Sequence, residues 1–240
     1  MLKPIFLAAM LLAGCEYNVQ NSSGAEYLAA TPTAAGKLDQ RITRAASVEP
    51  LLRFPARIGL ARIVQGKLTT IPPGEGSLWG NLAEAHKAMG QFIPISPLIA
   101  EFTEHQTRRA GADRGDVVET IRLGAARQHL DAVLIYEVGA RARKGSNLLA
   151  IGDLTIIGAA ILPSRTIKAQ GVAQALLIDV RNSYPYGTAQ AQADISRLSV
   201  AFGSYERKEA ARLKAIEKTV GNLIPEVEKM MLQVVQMRSR

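Results

Sequence analysis

The sequence predicts an α/β (α+β) fold, with a mixed sheet, βαβ-type units toward the amino terminus, an antiparallel meander toward the carboxy terminus, and helices packed against it. Three observations carry this. Strand and helix periods alternate from Arg57 to Val138, strands then follow one another as far as Leu198, and the chain closes on amphipathic helical sequence.

Lys37 to Ser47 places Leu38, Ile42 and Ala45 on one helical face, which predicts a short helix leading into the domain. Pro50 and Pro55 bracket a connector. Arg57 to Val64 (RIGLARIV) has apolar residues on both faces, as in a strand covered on two sides. Pro72-Pro73-Gly74-Glu75-Gly76 reads as a loop, with Ser77 as the N-cap of a helix to Met89 whose buried face is Leu78, Leu82, Ala85 and Met89. Gln91 to Ser96 gives a second strand and completes a βαβ-like unit.

Asp113 is the expected cap of a helix from Arg114 to Gln128, with Val117, Ile121, Gly124 and Ala125 as its stripe. Asp131 to Gly139 (DAVLIYEVG) follows and is expected at the centre of the sheet. Arg141 to Asn147 reads as a polar hairpin tip, Leu148 to Leu162 as an apolar strand, Pro163 to Arg165 as a turn, and Val172 to Val180 as the return strand. After the turn at Asn182 to Gly187, Thr188 to Leu198 alternates strictly, with Gln190, Gln192 and Asp194 outward and Ala189, Ala191, Ala193 and Ile195 inward. Small inward side chains let a helix approach closely. Two closing helices are expected. One runs from a Ser204 cap to Val220 with Leu213, Ile216 and Val220 inward, and the other from Leu223 to Met237 with Ile224, Val227, Met231 and Val234 inward, broken apart at Gly221-Asn222.

The most specific chemistry is at the start of the chain. Lys3 supplies a positive charge, Ile5 to Leu12 an apolar run, and Leu12-Ala13-Gly14 precede Cys15, the only cysteine. This run is too short to span a bilayer. The pattern resembles the lipobox of bacterial lipoproteins, in which residues 1–14 are removed as a signal peptide and Cys15 is acylated. The resemblance implies an envelope protein held by its lipid, since two or more acyl chains give stable attachment. It also uses the sole thiol, so no disulfide is expected. Glu16 stands where inner-membrane retention in the enteric pattern has Asp, which points to the outer membrane, facing the periplasm. Residues 15–36, rich in Ser, Ala, Asn, Thr and Gly, read as a flexible tether with a span of roughly 25 Å, and residues 37–240 as one domain.

Charge and composition narrow the function classes. Apolar residues make up 48% of the chain, which excludes a wholly disordered protein. The net charge of +8 is spread without a block of like charges and is compatible with anionic lipid, cell-wall polymer or an acidic partner. Nucleic acid is not expected outside the cytoplasm. His86, His105 and His129 lack metal-ligand spacing, Gly74-x-Gly76-x-x-x-Gly80 lacks dinucleotide spacing, and Ser77 has no nucleophile-elbow context. Asp153 and Asp179 on neighbouring strands read as structural carboxylates as readily as an acid–base pair. The sequence therefore predicts no catalytic residues, no metal, no cofactor and no enzyme activity. Trp79, Tyr184 and Tyr186 are the candidate partner contacts, because aromatics are enriched at interface hot spots.

RIGLARI, a helix, FIPIS, a helix, DAVLIYEV and then a meander containing LLIDVRNSYPYG before a terminal helix resemble the periplasmic lipoproteins built on the TolB amino-terminal-domain fold. That group includes the curli secretion lipoprotein CsgG and the penicillin-binding-protein activator LpoB. The resemblance spans Phe54 to Gln236 and implies a non-enzymatic role through contacts with another envelope protein, as activator, assembly factor or structural partner. The alternatives are a homo-oligomeric export component of the curli-channel type, and a cell-wall-binding module or hydrolase. Leu148 to Leu162 does not fit a barrel strand, because its apolar residues fall on both faces.

Overall fold

A computed structural model describes residues 16–30, 36–107, 116–146, 165–199 and 204–238. Its elements are β1 (Glu16–Val19), α1 (Gly24–Ala30), α2 (Lys37–Ala46), β2 (Ala56–Val64), β3 (Lys67–Thr69), α3 (Pro73–Ala85), β4 (Gly90–Pro94), α4 (Pro97–Thr107), α5 (Val117–Arg127), β5 (Ala132–Ser146), β6 (Arg165–Asp179), β7 (Pro185–Ser199) and α6 (Ser204–Arg238). The seven-stranded sheet runs β1-β7-β6-β5-β2-β3, with β4 also on β2. β5 and β4 lie parallel to β2, whereas β6, β7 and β1 continue antiparallel. This is the mixed α+β architecture expected from the sequence.

Both faces of β2 and β5 are covered, which is why they read as apolar throughout. On one face Ile58, Leu60, Leu134 and Tyr136 pack with Trp79 and Leu82 of α3 and with Val220, Leu223, Val227 and Val234 of α6. On the other face Ala61, Ile63, Val133 and Ile135 pack with Ile121 and Ala125 of α5 and with Ala100 of α4. Ala173, Ala189 and Ala191 keep the α6 side shallow. At Gly171 a Cβ would fall 2.1 Å from Thr219 Oγ1, so only glycine lets α6 lie this close.

Several expectations are corrected. Residues 16–30 are not a loose tether: β1 pairs with β7 over Glu16↔Gln190 to Val19↔Gly187, and α1 follows it. Val19 packs against the core and Tyr17 OH accepts from Gln233 Nε2 of α6 at 3.0 Å, so two alternate side chains dock the strand. α3 begins at Pro73, with Pro72 as N-cap, because a proline ring is preorganised for the first helical position; Ser77 lies inside the helix and donates to Pro73 O at 3.0 Å.

Arg141 to Ser146 is strand, paired with β6 as far as Ser146↔Arg165, and not a hairpin tip. The two closing helices are one. α6 runs through Gly221-Asn222 with Pro225 inside, because Val220, Leu223, Val227, Met231 and Val234 bury one continuous stripe that offsets the lost backbone bond. Leu213, expected inward, is exposed. α4 was not read from the sequence. Asp113, Asn147, Leu148 to Leu162 with Asp153, and Pro163-Ser164 lie outside the described residues, as does the lipobox with Cys15. The cap of α5 is Asp116, whose side chain accepts from Val118 N.

Candidate functional site

α4 and α5 cover β2, the start of β5 and the end of β6, where Ile178 packs with Ile121 and Ala125. Beyond them the face is open, and strand register sets its side chains in rows. Ile135, Leu176, Thr188 and Asn18 form one row across β5, β6, β7 and β1. Glu137, Gln174 and Gln190 form the next. Val172 and Gln192 follow, then Arg141, Gln170 and Asp194. Successive rows are about 7 Å apart, since every second residue of a strand points the same way.

The first two rows, with Ile63 and Val118 at the wall, line a concavity of about 970 Å³. It continues through a hollow of about 610 Å³ that shares Glu137 and Gln174, and one of about 640 Å³ that shares Arg141 and Gln170. The trough therefore has an apolar end at Ile63, Val118 and Leu176, an amide-rich centre, and charges of both signs at its far end. A glutamine or asparagine offers two N–H donors and a carbonyl acceptor, so this surface makes hydrogen bonds in either sense. Among the described residues no group of three or more His, Cys, Asp or Glu is placed to hold a metal ion, and no helix is long and apolar enough to cross a membrane.

No protein-family model matches the chain, and no curated protein matches it. Among solved structures, the PelC dodecamer from Paraburkholderia phytofirmans is 14% identical with a TM-score of 0.35, over 75% of this chain and 89% of that one. Lipoprotein GNA1162 from Neisseria meningitidis is 15% identical with a TM-score of 0.32, over 68% and 99%. The hypothetical protein CT253 from Chlamydia trachomatis is 9% identical with a TM-score of 0.31, over 74% and 99%. These likenesses assign no family.

The aromatic contacts expected from the sequence are not at the surface. Trp79 is buried against Phe92 and Tyr136, with ring centroids at 6.0 and 5.2 Å. Tyr184 and Tyr186 are buried 5.1 Å apart. Tyr186 OH accepts from Leu51 N and Leu52 N at 2.9 and 2.6 Å and donates to Asp179 Oδ2 at 2.9 Å. Tyr184 OH donates to Ser22 O at 3.0 Å. Both rings therefore clamp the amino-terminal segments onto the β6–β7 turn. Burial and the neighbouring Asp179 carboxylate hold the Tyr186 hydroxyl far above its usual range.

A second buried cluster lies under α3. Arg62 Nε and Nη2 grip Glu75 at 2.8 and 2.9 Å, and Tyr136 OH donates to Glu75 Oε2 at 2.7 Å. Burial and the Glu75 charge raise the Tyr136 hydroxyl in turn. This cluster lines none of the three hollows and joins β2, β5 and α3 as a structural tie. His86 pairs with Glu228 across α3 and α6, while His105 and His129 are exposed and apart from it. The residues of the trough were not singled out from the sequence. Their signal was present in Glu137, an exposed residue that interrupts an apolar run between buried Tyr136 and Val138.

Proposed function

We propose that this chain is a bacterial envelope lipoprotein, anchored through Cys15, whose uncovered sheet face binds another envelope protein. The observation that supports it most is the half-covered face: Gln174 and Glu137 are exposed on strands whose neighbouring halves are roofed by helices. Amides, a few apolar groups and charges of both signs match the mixed polarity of protein–protein interfaces. The reading is non-enzymatic, and the finer assignment to the TolB amino-terminal-domain group with CsgG and LpoB belongs to the same proposal. Its support is the order of elements from β2 onward, two strands, a helix, a strand, two helices and β5, then the antiparallel β6 and β7 and a terminal helix.

The position of β1 changes how the anchor acts. Glu16 is already in the ladder, so an acylated Cys15 stands one Cα–Cα step, about 3.8 Å, from the sheet edge. The domain then rests on the lipid surface, with the anchor beside the β1 backbone that pairs with Gln190. Growth with labelled palmitate tests this reading. The wild-type chain incorporates label and stays with membranes after a salt wash, whereas Cys15→Ser carries no label; a labelled Cys15→Ser chain, or an unlabelled wild type, contradicts it.

A further inference from the structure

α2 is an amphipathic helix seated the wrong way round for a core element. Its apolar stripe, Leu38, Ile42 and Ala45, faces outward, with Leu38 64% and Ile42 39% exposed. The sides of Asp39, Thr43 and Ala46 are the partly covered ones, turned toward α1. Ala46 sits so close to Gly24 that a Cβ there would meet Ala46 O at 1.9 Å, which fixes this orientation. Asp39 is occupied in capping Gly36 N at 2.9 Å. At about 100° per residue, Lys37, Arg41 and Arg44 all fall on one flank of the outward stripe, and no acidic residue of α2 shares it. No α2 residue is buried, and Leu38, Ile42 and Ala45 are all exposed.

We infer that α2 is a membrane-surface helix, which lays Leu38 and Ile42 into the boundary of an anionic bilayer while Lys37, Arg41 and Arg44 meet lipid phosphates. The warrant is charge complementarity joined to an outward apolar stripe, the combination that makes a helix lie in the interface plane. This second attachment is independent of acylation at Cys15. Acting with the anchor, it fixes how the domain is turned on the surface, because two separated contacts remove the rotation that one lipid leaves free.

The test uses the full chain with Cys15→Ser and Ile42→Cys, so that one thiol carries an environment-sensitive fluorophore; a Leu38→Cys version guards against a local defect, and a Gln192→Cys version reports the open sheet face. On vesicles of phosphatidylethanolamine and phosphatidylglycerol, the labels at 38 and 42 shift to the blue and are quenched by nitroxide-bearing lipid, while that at 192 stays water-like. Arg41→Glu with Arg44→Glu lowers the bound fraction about tenfold, and pure phosphatidylcholine gives little shift. The readout is local, so attachment through residues 1–14 does not imitate it. Water-like labels at 38 and 42 on sedimented vesicles overturn the inference. So does a blue shift without lipid that grows with protein concentration, which assigns the stripe to a second copy, or a shift unaffected by the two charge reversals.

Discussion

Tyr186 donates a 2.9 Å hydrogen bond to the fully buried carboxylate of Asp179. Because the same hydroxyl accepts two backbone N–H groups from Leu51 and Leu52, one oxygen ties the β6–β7 turn to the segment that leads into β2. Tyr186→Phe leaves the Leu51 and Leu52 N–H donors unsatisfied and removes one of the Asp179 hydrogen bonds, Arg181 Nη2 still donating to Oδ2 at 3.3 Å. At about 1–3 kcal/mol for an unsatisfied buried group, the expected loss is about 2–4 kcal/mol in urea unfolding, with the m-value unchanged. A loss under 0.5 kcal/mol refutes the clamp.

The same two tyrosines set an alkaline limit. Burial raises the hydroxyls of Tyr136 and Tyr186 well above the usual tyrosine range, so the folded state holds their protons more tightly than the unfolded chain does. Their contribution is complete below the unfolded pKa near 10 and is lost as pH rises beyond it. Thermal unfolding scans therefore show a falling melting temperature from about pH 10 upward, with a shallower fall in Tyr136→Phe. A flat profile to pH 12 counts against this.

Arg62 and Glu75 form a bidentate buried pair, and breaking it costs more than replacing it. Glu75→Ala strands a buried guanidinium and lowers stability by about 3–5 kcal/mol, while Arg62→Met with Glu75→Leu and Tyr136→Phe returns most of that loss. Equal damage from the single and triple variants refutes the argument.

β1 protects the β7 edge. Val19→Asp expels the strand, and amide exchange in Gly187 to Gln190 accelerates while the β5–β6 centre stays protected. Unchanged exchange at those amides means that residues 16–19 contribute no ladder.

Much of the fold was legible because burial and periodicity agreed. β2 and β5 are apolar on both faces and lie in the middle of the sandwich, and the alanines of β7 face α6 while Gln190 and Gln192 face out. α4 was illegible because its pattern is inverted: it buries Ala100, Thr103 and Glu104, with Thr120 Oγ1 donating to Glu104 at 2.8 Å, and exposes Leu98 at 79% and Phe102 at 59%. β1 was missed because four residues show no period, and its docking depends on Gln233, 216 positions away. Tyr184 and Tyr186 misled because a Tyr-Pro-Tyr turn does not reveal which way its rings point; their partners at Ser22 and Leu51 lie 162 and 135 residues distant. The trough emerges only from register, which brings Glu137, Gln174 and Gln190 into one row.

The open face is tested most directly by placing a photo-crosslinking amino acid at Gln174 in cells, with a second at Glu217 on the far side of α6 as control. The account predicts one discrete crosslinked species of another envelope protein from position 174, absent from position 217 and lost on Gln170→Arg with Gln192→Arg. Equal crosslinking from both positions, or none from 174 in membranes that retain the protein, contradicts it.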